Sequence, residues 1–339
     1  MRATVLHSPG DIRLDTVPDP QLRHDTDAIV RVVAACVCGS DLWPYRGLNG
    51  EQTEPQQIGH EHVGIVEQVG AEVADVKVGD FVIAPFKHSD NTCVHCRNGV
   101  HTSCVNGGFY TGCQAELVRV PNADGTLVTV PGEVDDALVP HLLTLSDVFP
   151  TGHHCAVSAG VTAGSTVAVV GDGAVGLSAV LAAKRLGAST VIAMSRYEAR
   201  QQIAREFGAD HIVESRGKEG AAEVREILGG IGADAVLECV GTHESMKQAF
   251  LSLRPGGTVG YVGVPHGVEL PINVMFGNNF GLAGGVAPVR AYLPELLAEV
   301  LDGSLRPGAV FDLTLPLERV ADAYRSMDER AAIKVLLRP

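Results

Sequence analysis

Residues 166–176 read TVAVVGDGAVG, and this stretch decides the fold. Thr166 to Val170 is an apolar strand pattern that runs into Gly171-x-Gly173-x-x-Gly176, and Val175 to Leu186 then places apolar residues at helical spacing. In such a strand–turn–helix unit Gly171 permits the tight turn, Gly173 lets backbone amides approach a pyrophosphate, and Gly176 allows helix and strand to pack closely. Ala174 and Val175 open the helix, whose unpaired N–H groups and dipole favour an anion. A dinucleotide is the expected ligand.

Working outward, the chain continues as strand Thr190 to Met194, helix Tyr197 to Phe207, strand Ile212 to Val213 and helix Ala221 to Leu228. Strand Ala235 to Cys239, helix Glu244 to Leu251 and strand Thr258 to Val264 follow. Strands alternating with helices predict a parallel sheet covered on both faces. Upstream the texture differs. Ile29 to Cys36, His62 to Val69, Asp80 to Ala84 and Ala115 to Val120 are short β-type runs cut by Gly, Pro and Asp, which predicts an irregular, mostly antiparallel β domain. After about residue 285, helix Ala291 to Leu301 and the β-type tails Phe311 to Leu317 and Ile333 to Leu337 break the alternation and are expected to return to the first domain. The expected class is α/β, with domains at 1–150 and 151–285 and a return at 286–339.

The second strand ends Ala193-Met194-Ser195-Arg196-Tyr197. An NAD-binding fold carries an acid near this point for the adenosine ribose hydroxyls. An acid would repel a 2′-phosphate, whereas Ser195 donates a hydrogen bond and Arg196 supplies charge and a planar fork. NADP is the expected cofactor. Arg200, one turn beyond, either adds charge to that pocket or is a solvated helix residue, and Glu198 opposes it.

With 339 residues, 45% hydrophobic and 19% charged, the chain can bury the cores of two domains. Its 26 Lys and Arg against 40 Asp and Glu give a net charge of -14, which excludes general attraction to nucleic acid or an anionic membrane. No apolar segment reaches the length of a membrane span. The 8 cysteines cluster unevenly, and the opening MRATVLHSPGD carries a charge and no long apolar run. The expectation is a cytoplasmic metal protein rather than a disulfide framework.

Residues 89–104 read SDNTCVHCRNGVHTSC. Cys93, Cys96 and Cys104 offer three thiolates, and a closed structural zinc site takes four ligands. Asp90 would complete the set; His101 is its rival, and His95, between two cysteines, is expected to point outward. Such a site serves folding, since it leaves no position for substrate. A second set is dispersed: Cys38-Gly39-Ser40-Asp41, Gly59-His60-Glu61-His62-Val63-Gly64 and Leu145 to Gly152, with Asp147 and Thr151-Gly152 inside the last. Singly, none of these is specific: a lone Cys is usually a small buried residue and a lone Asp before a helix usually caps it.

In this order, and with Val78-Gly79-Asp80-Phe81-Val82, the motifs resemble the zinc-dependent medium-chain alcohol dehydrogenases over essentially the whole chain. The resemblance implies a GroES-like catalytic domain with a Rossmann domain inserted in it. It implies a catalytic zinc on Cys38, His60 and Asp147, with Glu61 a transient ligand, and a structural zinc on Asp90, Cys93, Cys96 and Cys104. Many members have Cys where Asp147 stands; an NADP-dependent secondary-alcohol branch has Asp there and Ser-Arg after the second Rossmann strand. Asp90 likewise stands where a first structural Cys is most common. Ser40 would receive the alcohol proton. The relay histidine's position is Trp43, which cannot relay. Trp43 and Phe86 would wall the substrate pocket, Thr151 would touch the nicotinamide and Lys334 would reach the pyrophosphate.

The implied reaction is hydride transfer between NADP(H), with NAD(H) the alternative, and a small or medium alcohol, ketone or aldehyde, secondary alcohols foremost. Two zinc ions per chain and a homodimer or homotetramer are implied as well, with Val274 to Val286 a candidate for subunit contact through the outer sheet strand. The competing readings are an NAD-dependent polyol or threonine-type dehydrogenase and a non-catalytic NADPH-binding protein. The intact set Cys38, His60, Glu61 and Asp147 argues against the last.

Overall fold

The computed structural model describes residues 1–50 and 54–339, which divide into two units: Met1–Asp147 with Pro288–Pro339, and Val148–Ala287. In the second unit, β1 (Thr166–Val170), α1 (Ala174–Arg185), β2 (Thr190–Met194), α2 (Glu198–Glu206) and β3 (His211–Val213) follow one another. Then come α3 (Gly217–Ile227), β4 (Ala233–Glu238), α4 (His243–Ser252), β5 (Leu253–Tyr261) and β6 (Gly281–Gly284). The strands are parallel in the order β3-β2-β1-β4-β5-β6, the doubly wound Rossmann arrangement. Val170 lies opposite both Met194 and Glu238, so Gly171, Ser195 and Cys239 leave the sheet side by side at its carboxyl edge.

The core on one face of this sheet joins Ala168, Val170, Ile192 and Met194 to Val224, Val236, Phe250 and Val259. Each fully buried Val or Ile in it stabilises the unit by roughly 1.5–3 kcal/mol. A helix, Val148–Ser158, precedes β1, and a Cβ on its Gly152 would lie 2.6 Å from Ala179 N, so the Thr-Gly pair is where this helix meets α1. β5 ends at Tyr261, short of the expected Val264, because Gly263 packs on the Gly241 turn, its Cβ position 2.2 Å from Gly241 N. The stretch 274–286, the candidate for subunit contact through the outer strand, comprises most of a helix, Ile272–Asn278, and then β6, the strand at the sheet edge. Ile272, Val274 and Phe276 on that helix are exposed.

In the first unit the strand Ala28–Cys36 is central, pairing antiparallel with His62–Val69, Leu117–Val120 and Val335–Arg338. Phe81–Ala84 and Val128–Thr129 extend the sheet on one side, and Leu313–Pro316, parallel to Val335–Arg338, on the other. One core gathers Ala28, Val30 and Val32 with Val66, Val82 and Val118. Another joins Val37 and Leu42 to Leu315, Tyr324, Val335 and Leu337. Leu336 pairs with Cys36, so the end of the chain lies against the strand that leads into Cys38. Among the described residues no helix is long and apolar enough to cross a membrane.

Candidate active site and metal centres

Cys38 leaves the central strand at the start of the 3-10 turn Gly39–Asp41, His60 and Glu61 immediately precede the strand His62–Val69, and Asp147 follows the helix Val139–Thr144. These separate segments bring one potential ligand atom each from Cys38, His60, Glu61 and Asp147 to within 4.8 Å of one another. His60 Nε2 is 3.4 Å from Asp147 Oδ2, and Nδ1 is 3.3 Å from Asp41 Oδ1. Asp41 is itself fixed: its Oδ2 accepts from Cys38 N at 3.0 Å and from Gln114 Nε2 at 3.2 Å. Gln114 Oε1 in turn accepts from Tyr324 O–H at 3.0 Å. A carboxylate on Nδ1 selects the tautomer that leaves Nε2 as a lone-pair donor, the second-shell pattern of metal-bound histidines.

The electrostatics ask for a cation. Burial pushes the Cys38 thiol up, and the Glu61 charge adds to it. Burial would lower His60, yet the charges of Asp41, Cys38 and Asp147 outweigh it and raise its pKa well above the ordinary imidazole value. Glu61 is fully buried; its Oε1 accepts from Lys334 Nζ at 2.7 Å, while its Oε2 has no hydrogen-bond partner among the described residues. A buried carboxylate oxygen without a partner is costly unless something positive completes it. Thiol, imidazole and carboxylate together are a donor set that zinc takes, so the residues fit that metal.

Lys334 is the correction here. Expected to reach a pyrophosphate, its ammonium is instead buried in this unit against Glu61 Oε1 and Val37 O. Burial by itself favours the neutral amine, but the charges of Cys36, Glu61 and Cys38 outweigh it and hold the ammonium protonated.

In the cysteine loop, Asp90, Cys93, Cys96 and Cys104 bring one ligand atom each within 4.8 Å of the others. Asp90 Oδ1 lies 3.4 Å from Cys96 Sγ and accepts from the Thr92 and Cys93 amides at 2.8 and 2.9 Å, while Asn106 Nδ2 donates to Oδ2 at 2.7 Å. The backbone amides of Cys96 and Val105 lower the Cys93 thiol to about 7, and burial raises Cys96 to about 12. The histidine rivals stand elsewhere: His95 is exposed, and His101 Nε2 is 2.8 Å from Asn91 Oδ1. Three thiols and a pre-fixed carboxylate also fit zinc.

The glycine loop has the form a pyrophosphate needs. Gly171 has φ +117°, which a side chain would strain, and a Cβ on Gly176 would lie 2.0 Å from Gly171 O. Gly173, the residue before α1, faces open space, with nothing within 4 Å of a Cβ placed there. A side chain would fill the space a ligand's phosphates use at the helix N-terminus. Beside this loop, Ser195 is buried, Arg196 is exposed with Nε 3.1 Å from Glu214 O, and Arg200 Nη1 lies 3.2 Å from Asp172 Oδ1. Arg200 is thus neither a solvated helix residue nor an unpaired charge.

Two family models match the chain: an alcohol dehydrogenase GroES-like domain over residues 24–132 and a zinc-binding dehydrogenase over residues 174–302. A zinc-type alcohol dehydrogenase B of Aspergillus flavus is 33% identical, covering 100% of this chain and 81% of that protein. The structure of an alcohol dehydrogenase from Thermus sp. ATN1 superposes with TM-score 0.91 at 33% identity, over 100% of this chain and 99% of that one. The chain belongs to the zinc-dependent medium-chain alcohol dehydrogenases. A further dehydrogenase structure, from Sinorhizobium meliloti 1021 and bound to NADP, has TM-score 0.83 at 27% identity, over 100% of this chain and 99% of that one.

In this dehydrogenase the remaining expected residues are distributed as follows. Ser40 sits half-buried on the turn after Cys38, with Trp43 on the helical turn that comes next. Phe86 is buried, edge-on to His60 at 6.2 Å and stacked on Phe109 at 5.8 Å. Thr151 lies in the other unit, on the helix Val148–Ser158. Residue-by-residue reading missed Gln114 and Tyr324, which no local motif marks, and gave Asp41 no role. It also missed Asp172, although the letter between Gly171 and Gly173 was open to question as a charged residue in a phosphate loop.

Proposed function

We propose that this dehydrogenase transfers hydride between NADP(H) and a small or medium secondary alcohol or its ketone, with zinc held by Cys38, His60 and Asp147. The observation that carries this reading is the convergence of those ligand atoms with Glu61 behind an aromatic wall. When bound, zinc supplies Lewis-acid polarisation of the substrate oxygen, and the nicotinamide supplies or accepts the hydride. The chain's own residues do the rest. Asp41 holds His60 in the ligating tautomer, and Gln114 and Tyr324 hold Asp41. Lys334 anchors Glu61 by one oxygen, leaving the other for transient use. Ser40, on the turn carrying Cys38, would accept the proton of the substrate hydroxyl while giving up its own hydroxyl proton to water, and Phe86 excludes water from the other side. The closed Asp90–cysteine set serves folding. Ser195, Arg196 and Arg200 support NADP over NAD.

We also propose a cytoplasmic homodimer or homotetramer; the edge strand β6 and the exposed Ile272, Val274 and Phe276 support self-association.

The test is Asp147→Ala, assayed on a panel of secondary alcohols and ketones with NADP and NAD separately, on protein of measured zinc content. Loss of one zinc and a fall of about 100-fold or more in kcat/KM are expected. Normal zinc content with full turnover would overturn the ligand assignment.

A further inference from the structure

The acid absent from the end of β2 arrives from the glycine loop. Asp172 is 9% exposed, and its carboxylate collects three donors. Ser195 Oγ donates to Oδ2 at 2.9 Å, Arg196 N approaches the same oxygen at 3.4 Å, and Arg200 Nη1 reaches Oδ1 at 3.2 Å. Arg200 Nη1 also donates to Asp172 O at 3.3 Å, and its guanidinium lies over the Tyr197 ring at 5.3 Å. The other charges nearby are engaged elsewhere: Glu198 is 3.8 Å from Arg205, and Glu214 Oε1 accepts from Gln201 Nε2 at 2.9 Å. A hydroxyl, a backbone amide and a guanidinium converging on one point are the donors that bind a phosphate monoester. Here they already hold an anion that belongs to the chain.

We propose that Asp172 is a specificity-determining residue whose carboxylate competes with the cofactor's 2′-phosphate for Ser195, Arg196 N and Arg200. The inference rests on the NADP reading above and limits it: Asp172 narrows the preference and keeps NAD(H) acceptable. A 2′-phosphate must displace the carboxylate or share Arg200 with it, and two anions on one donor set repel. The carboxylate has little room to yield, since it is buried and its peptide is fixed between Gly171, with φ +117°, and Gly173, which caps α1. Asn at this position keeps the shape and an acceptor for Ser195, but removes the charge and releases Arg200.

The experiment titrates wild type, Asp172→Asn and Asp172→Ser by calorimetry with adenosine 2′,5′-bisphosphate and with 5′-AMP. Zinc-loaded full-length protein is used, and each variant's melting temperature is recorded. Both neutral variants are expected to bind the bisphosphate about tenfold tighter while 5′-AMP changes by less than about twofold. Adding Arg200→Gln to Asp172→Asn should reverse the gain. Bisphosphate affinity that stays level or falls in whichever neutral variant remains folded overturns the proposal. A wild type that prefers 5′-AMP would sink the NADP reading alone; if the neutral variants then shift toward the bisphosphate, the role of Asp172 stands.

Discussion

Asp27 carries one of the tightest polar clusters of the first unit. Its buried Oδ2 accepts from the amides of Arg23 and His24 at 2.8 and 2.9 Å and from Arg119 Nε at 2.6 Å. Burial works against the charge, but Arg119 and the two amides outweigh it and hold the carboxyl below its ordinary pKa. The sign follows from linkage: on acidification the unfolded chain takes up this proton first, so the stabilisation is complete above about pH 4 and is lost below it. Asp27→Asn should cost about 2–4 kcal/mol at neutral pH and flatten the fall in stability below about pH 4. Urea unfolding of variant and wild type across that range checks it, and parallel pH profiles would refute it. At this scale the sequence was legible where residue chemistry is self-declaring: the spacing of Cys93, Cys96 and Cys104 announced a metal loop. Asp172 was not, because a carboxylate among glycines is informative only once β1 and β2 are known to end side by side.

At the scale of elements, the two glycines that open α1 do different work, and substitution separates them. A Cβ on Gly176 would lie 2.0 Å from Gly171 O, so Gly176→Ala must push the helix off the loop, at a cost of about 1–3 kcal/mol. Gly173 has φ -76° and open space around its Cβ position, so Gly173→Ala should leave the melting temperature unchanged or slightly raised. It should nevertheless weaken nucleotide binding about tenfold or more, because the methyl occupies the phosphate approach. Thermal melts beside calorimetric titration with 5′-AMP measure both; equal effects of the two variants on stability would refute the distinction. Period and turn chemistry made the α/β alternation readable because β1, β2, β4 and β5 are long enough to show it, whereas β3 has only 3 residues. The helix Val320–Asp328 escaped, although Val320, Ala323, Tyr324 and Met327 form its buried stripe, since Asp322 and Arg325 dilute the apolar signal. The helix Ile272–Asn278 within reach of the run 274–286 was not legible for another reason: a short apolar stretch fits strand and helix equally, and the break at Asn279, with φ 54°, divides it.

At the scale of the whole molecule, the first unit is discontinuous in sequence and its core depends on both pieces. Leu6, Ile12, Val37 and Leu42 share one cluster with Leu315, Leu317, Val320, Tyr324, Val335 and Leu337. Val335–Arg338 also supplies backbone partners to Ala35 and Cys36, and Lys334 supplies the counter-charge to buried Glu61. No local pattern encodes these pairings between distant stretches, so the ligand set around Cys38 was readable only through its resemblance to known dehydrogenases. The second unit, by contrast, is continuous, with its own sheet and core. A fragment spanning 148–287 should therefore fold alone and melt cooperatively. A fragment spanning 1–147 exposes half of a core, strips Ala35 and Cys36 of their pairing with Leu337 and Leu336 and buries Glu61 without Lys334, a deficit well beyond the about 5–15 kcal/mol that keeps a domain folded. It should stay unfolded or aggregate until 288–339 is added in trans. Circular dichroism melts of the fragments, singly and mixed, decide the point: a cooperative melt of 1–147 alone would mean that the C-terminal strands are an accessory to the site rather than part of what builds it.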